Sequence, residues 1–149
     1  MTNGMPDNLY VLLADDDADD RMLFEDAITE TGISVKLAMV KDGQQLIDFL
    51  ESSIILPHIL FLDLNMPIRN GMQCLQEIRT RDKYNALCVC MYSTTARQAD
   101  IQQAAALGAN LFINKPNSFT ELKLLLRKVL TMDPKECFEA EKEKFVFKA

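Results

Sequence analysis

The nine residues Ile59-Leu60-Phe61-Leu62-Asp63-Leu64-Asn65-Met66-Pro67 decide how the rest of the chain is read. An unbroken apolar run, Ile59 to Leu62, follows Pro57-His58 in a segment too short for a helix. Such a run is a strand buried on both faces, as in a parallel sheet. Asp63 then stands at the strand's carboxyl end, and Pro67, Asn70 and Gly71 break the chain into a loop. Open α/β sheets place their ligands at that edge, which makes Asp63 a candidate site residue. Taken alone, it could equally cap the following helix.

Outward from this strand the same pattern repeats. Leu9 to Ala14 is strand-like, and Ala18 to about Thr31 reads as an amphipathic helix with Met22, Leu23, Ala27 and Ile28 inward, stopped by Gly32. Val35 to Val40 is a second strand; after the turn Lys41-Asp42-Gly43, residues Gln44 to Ser52 carry Leu46, Ile47, Phe49 and Leu50 on a helix. Gly71 to about Arg81 is a third helix, with Met72, Leu75 and Ile78 in register. Ala86 to Tyr92 is a strand ending in Ser93-Thr94-Thr95, and Arg97 to Leu107 a helix closed by Gly108. Ala109 to Ile113 is the last strand, followed by Asn114-Lys115-Pro116. Ser118 caps a final helix whose Leu122, Leu125, Leu126, Val129 and Leu130 face the core. Unbroken strand-helix alternation predicts an α/β fold: a doubly wound, five-stranded parallel sheet with five helices over both faces and right-handed crossovers.

The 149 residues make one domain, with 1–8 as an N-terminal extension, 9–132 as the folded unit and 133–149 as a tail. The tail is charged and ends in Phe145-Val146-Phe147, so it either frays or packs on the surface. A net charge of −6 with no basic cluster excludes a nucleic-acid surface. No stretch approaches the roughly 20 apolar residues of a membrane span. Met1 to Asn8 lack the features of a signal peptide, and a cytoplasmic protein is expected. Cys74, Cys88, Cys90 and Cys137 have no metal-ligand spacing; Cys88 and Cys90 share one face of a strand and read as small core residues. His58, the sole histidine, excludes multi-histidine metal sites and reads as structural.

Strands one, three, four and five end in Asp15-Asp16, Asp63, Ser93 and Lys115. In a parallel sheet these ends share an edge, so three carboxylates, a hydroxyl and an ammonium meet in one crevice. Crowded carboxylates repel unless a cation joins them, and an all-oxygen set suits Mg²⁺ better than zinc. A phosphate cradle of the flavodoxin kind would need Ser, Thr or Gly after the first strand, where this chain has acids. Asp17, Asp19 and Asp20 read as a solvated charge run favoured by the helix dipole.

Taken together, the acid pair, the Asp-Leu-Asn-Met-Pro box, the hydroxyl and the Lys-Pro resemble the receiver domain of two-component response regulators, over about Leu9 to Thr131. The resemblance implies a flavodoxin-like sheet of order 2-1-3-4-5. It implies that Asp63 accepts a phosphoryl group from the phosphohistidine of a sensor histidine kinase or phosphotransfer protein. Mg²⁺ would be held by Asp15, Asp16, Asp63 and the backbone carbonyl of Asn65, and Lys115 would meet a phosphate oxygen. Ser93 and Phe112 would form the switch, Asn65, Thr94 and Thr95 would set the lifetime of the acyl phosphate, and the face of the fourth helix, fifth strand and fifth helix would meet a downstream protein. Ser93 stands where the family often has threonine, and Asn117 where it often has an aromatic. The expectation is a stand-alone phosphoacceptor module that is not an enzyme, though it assists its own phosphorylation and dephosphorylation. A metal-dependent phosphohydrolase with an aspartyl intermediate is the enzymatic alternative, but Asn65 stands where such enzymes usually carry a second aspartate. A receiver serving only as a scaffold would not need the acid pair, hydroxyl and lysine intact.

Overall fold

Because successive side chains on a strand point to opposite faces, apolar residues in consecutive positions must be covered on both sides. The computed structural model, which describes residues 8–132 and the backbone of 146–147, covers them that way. The elements are β1 (Leu9–Ala14), α1 (Ala18–Thr31), β2 (Val35–Val40), α2 (Gly43–Ser52), β3 (Ile59–Asp63), α3 (Gly71–Arg79), a 3₁₀ turn (Asp82–Tyr84), β4 (Cys88–Ser93), α4 (Gln98–Leu107), β5 (Leu111–Asn114), α5 (Phe119–Leu130) and β6 (Val146–Phe147). All strand pairings are parallel, in the order β2-β1-β3-β4-β5-β6. The first five strands therefore have the 2-1-3-4-5 order that the resemblance implied.

Val11, Leu13, Phe61, Cys88, Cys90, Tyr92, Leu111 and Ile113 face α1 and α5; Leu12, Leu60, Leu62, Val89, Met91 and Phe112 face α2, α3 and α4. Cys88 and Cys90 thus share one buried face, as their spacing predicted. On the α1 side Phe24, Phe61 and Tyr92 form an edge-to-face group with centroids 5.0 to 6.2 Å apart. Phe24 is the core residue of α1 that the sequence reading missed, whereas Met22 and Leu23 are exposed. The helix presents Phe24, Ala27, Ile28 and Thr31 inward, so Ala27 and Ile28 face the core as expected while Phe24 takes the place expected of Met22 and Leu23.

Capping explains where the helices begin and end. Asp17, Asp42, Asn70 and Ser118 each accept backbone N–H groups at an N-terminus, and Gly32 and Gly108 close α1 and α4 in the left-handed region. Since Asn70 caps α3 in a reciprocal pair with Gln73, Asp63 is not spent as a helix cap. Two elements were not expected. The 3₁₀ turn shortens α3 relative to the sequence reading, and Val146–Phe147 pairs with Ile113 and Phe112 as a sixth strand rather than fraying. Cys137 and the rest of the 133–145 stretch lie outside the described residues. No helix among the described residues is long and apolar enough to cross a membrane.

Gly71 binds the start of α3 to the end of β3. Its N–H donates to the Leu64 carbonyl at 2.9 Å, and a Cβ there would collide with the Asp63 carbonyl oxygen. Replacing Gly71 by Ala is expected to lower stability by about 1–3 kcal/mol, the usual cost of forced overpacking, in urea unfolding. An unchanged midpoint would show that β3 and α3 can separate freely.

Candidate functional site

The carboxyl ends of β1, β3, β4 and β5 form one rim, because parallel strands in register finish together: Asp63 pairs with Tyr92, and Ser93 with Asn114. The rim brings Asp15, Asp16 and Asp63 into one group, with a carboxylate oxygen from each lying within 4.8 Å of the others. Asp15 and Asp63 are buried and Asp16 is exposed, so the cluster opens to solvent on one side.

Each member is positioned by its own backbone context. Asp15 follows β1 directly; its N–H donates to the Val40 carbonyl at 3.1 Å, and its Oδ1 accepts from the Asp17 N–H at 3.0 Å. Arg21 donates to the Asp15 carbonyl at 2.8 Å, pinning the turn from the α1 side. Asp63 Oδ1 accepts from the Asn65 N–H at 3.2 Å. The loop beyond is tight, with Arg69 N–H donating to the Pro67 carbonyl at 2.8 Å around Ile68, whose φ is 72°. A β-branched residue in the left-handed region is strained, and here it shortens the path from Asp63 to the α3 cap.

Lys115 enters from β5 and ties the group together. Its Nζ lies 3.0 Å from Asp15 Oδ2, 3.1 Å from Asp20 Oδ2 and 3.5 Å from Asp63 Oδ2, and 4.9 Å from the centroid of the Tyr92 ring. Asp20 therefore does not belong to a solvated charge run, as the sequence suggested. Asp17 does not either, because it caps α1 through the N–H groups of Asp19 and Asp20. The missed signal was position: a helix that opens on the rim carries its first-turn acids toward whatever cation stands there.

Ser93 is fully buried, and its hydroxyl bonds Thr95, accepting from the N–H at 3.1 Å and lying 3.3 Å from the side-chain oxygen. Thr94, Thr95 and Asn65 are exposed around the same opening. Phe112 is buried in the cluster that holds Met91 and Ala104 of α4. His58 stands at the opposite end of the sheet, where its Nδ1 accepts from the Tyr10 N–H at 2.9 Å, a structural tie between β1 and β3. Ser118 caps α5 without help from Asn117, which is exposed.

Electrostatics reflect the crowding. Burial, above all, pushes the Asp63 carboxyl up to about 6; Lys115 and the Asn65 N–H pull against it, and Asp15 and Asp16 add to it. Burial would depress Lys115, but Asp63 and Asp15 outweigh it and hold the ammonium charged. Asp15, Asp20 and Asp63 thus surround the ammonium of Lys115, and Asp16 adds a fourth carboxylate beside Asp15 and Asp63. An all-oxygen group left this negative fits a hard divalent cation.

Residues 11–127 match the family model for the response regulator receiver domain. The chain belongs to that family. It is 30% identical over 124 residues to a probable chemotaxis protein CheY of Rhizobium etli, covering 83% of this chain and 93% of the relative. It is 32% identical to the chemotaxis protein CheY of Thermotoga maritima, over 80% of this chain and 95% of that one. Among solved structures, the phosphorylated cyanobacterial phytochrome response regulator RcpA superposes with a TM-score of 0.76 at 22% identity, covering 89% of this chain and 95% of that one, a likeness of fold. This receiver is thus CheY-like, a two-component signalling domain.

An acid with a raised pKa weakens the fold once it ionises. The Asp63 penalty is absent below about pH 4, grows as pH rises toward about 6, and is complete above it. With divalent cations chelated, Asp63→Asn is expected to be more stable than the unsubstituted protein at pH 7, by up to about 3 kcal/mol, and the gain should shrink at pH 4. Urea unfolding at the two pH values measures it; a gain independent of pH would assign the effect to something other than ionisation.

Proposed function

We propose that this receiver is a phosphorylation-controlled interaction module in which Asp63 is the phosphoacceptor. The observation that carries the reading is the placement of Asp63: buried at the end of the central strand, beside Lys115 and within the group formed with Asp15 and Asp16. A histidine kinase or phosphotransfer protein would present its phosphohistidine at this rim. An oxygen of Asp63 attacks phosphorus, the P–N bond breaks, its electron pair stays on the imidazole, and an acyl phosphate forms. The setting would be the cytoplasm, where ATP-dependent kinases charge such histidines.

Asp15, Asp16, Asp63 and the backbone carbonyl of Asn65 are the groups that would hold Mg²⁺. Bound there, the ion neutralises charge on the transferring group. Lys115 contributes a compact positive charge with three donors, able to leave a carboxylate for a phosphate oxygen. Asn65, Thr94 and Thr95 line the opening through which water would reach the acyl phosphate, and so would set its lifetime. We propose no turnover of a separate substrate; the domain's own residues assist its phosphorylation and its dephosphorylation.

Output follows from Ser93. Its hydroxyl is engaged by Thr95, so turning it toward a phosphoryl group releases the start of the loop before α4. Phe112 already lies inward, and its share in the switch is a repacking under α4. The surface altered is α4, β5 and α5, which a downstream protein would read. A nearly complete shift of such an equilibrium takes about 5.5 kcal/mol of differential interaction, and a binding partner would supply part of it.

Incubation with acetyl phosphate and Mg²⁺ should raise the intact mass by one phosphoryl group, and Asp63→Asn should abolish the gain. Omitting Mg²⁺ should suppress it as well. Equal labelling of the variant would overturn the assignment of Asp63.

A further inference from the structure

We infer that Asp20 is a positioning residue: it holds the Lys115 ammonium on the α1 side and so opposes loading of the phosphoryl group on Asp63. The inference rests on the phosphoacceptor reading of Asp63. Lys115 Nζ makes hydrogen bonds to Asp15 Oδ2 at 3.0 Å and Asp20 Oδ2 at 3.1 Å, while Asp63 Oδ2 stands farther off at 3.5 Å. The ammonium thus spends two of its three donors on residues other than the acceptor. A phosphoryl group on Asp63 brings new anionic oxygens to the β3 side of the rim, and Lys115 can meet them fully only by loosening one of those bonds.

Of the two, Asp20 is the bond that can be given up. Asp15 is fully buried, its other oxygen is tied to the Asp17 N–H, and it belongs to the group that could hold a cation. Stripping Lys115 from it would leave a buried charge. The Asp20 side chain is 36% exposed, and water can replace the ammonium there at little cost. Its backbone is fixed at the helix start, where the Asp20 N–H donates to the Asp17 cap at 3.2 Å. Asp20 also stands outside the carboxylates gathered for a cation, so its charge bears on the phosphoryl site through Lys115. The arrangement is a graded brake: a competing counter-ion that lowers occupancy without blocking the site.

The test is the affinity for trifluoroberyllate, a phosphoryl analogue, in saturating Mg²⁺, measured by calorimetry on the full chain. Asp20→Asn should bind about two- to fivefold more tightly, the upper part of the range a partly exposed ion pair is worth. Asp19→Asn makes the same charge change one residue away on an exposed side chain, and should alter affinity less than about twofold. In the free Asp20→Asn protein the ¹³Cε resonance of Lys115 should move toward its position in the unsubstituted protein's trifluoroberyllate complex, and in Asp19→Asn it should stay. Equal gains from both substitutions would replace Asp20 positioning by general charge repulsion. No gain from Asp20→Asn, a weaker complex, or an unmoved Lys115 resonance would overturn the inference while leaving Asp63 as the acceptor. If the unsubstituted protein bound no trifluoroberyllate and took no phosphoryl group from acetyl phosphate, the reading of Asp63 would fail, and the role of Asp20 with it.

Discussion

Carboxylates forced together at the edge of a sheet, with a single ammonium among them, are the constraint on which this molecule's organisation depends. Asp15 and Asp63 are buried, Asp16 and Asp20 flank them, and Lys115 reaches three of the four. Burial costs Asp15 and Asp63 their hydration, and repulsion among the acids adds to the cost. The fold tolerates this because backbone N–H groups of Asp17 and Asn65 serve the two buried acids, and because the opening at Asp16 leaves room for a compensating cation. A site balanced in this way responds strongly to charge. That property suits the phosphoryl input proposed for this two-component signalling domain, a group that would carry about −1.5 to −2 charges.

The surrounding structure makes such a site rigid enough to be useful. Two apolar clusters grip the sheet from either side, and the site residues sit at the first positions beyond that grip, where strands give way to loops. Their directions are set by strand register rather than by loop conformation. The loop after β3 is short and strained at Ile68 and shut by Gly71, so Asp63 cannot drift from the rim. The loop after β4 is tied instead by the Ser93 hydroxyl, which bonds the N–H and the side chain of Thr95. In the phosphoacceptor role proposed for Asp63, a charge arriving there would meet a closed loop on one side and, on the other, a loop that can exchange its hydrogen bonds.

How much could be seen in advance varied with the kind of interaction. Strand β1, strand β2 and helix α1 have the expected boundaries, since alternation and capping are local signals. Inward and outward faces of α1 were harder: Met22 and Leu23 look like core residues by spacing, yet Phe24 takes that place because Phe61 and Tyr92 lie opposite it. The pairing of Val146–Phe147 with β5 was also hidden, because an edge strand is defined by its neighbour and not by its own two residues. Asp15, Asp16, Asp63, Ser93 and Lys115 were legible as candidates since strand ends mark the rim. Asp20 was not, because its partner is 95 residues away in the chain.

Residue order by itself determined the alternation of strands and helices, the burial of the central strand on both faces, and the gathering of acids, hydroxyl and lysine at one edge. These follow from periodicity, turn chemistry and the geometry of parallel sheets, all of which act over a few residues or apply to every such sheet. Only the tertiary structure decided which carboxylates Lys115 touches, that Ser93 spends its hydroxyl on Thr95, and which face of α1 is buried. The contacts of Lys115 and the buried face of α1 depend on groups remote in sequence, and the Ser93 hydroxyl takes Thr95 only because the folded loop brings that neighbour round to it, so no local pattern encodes these outcomes.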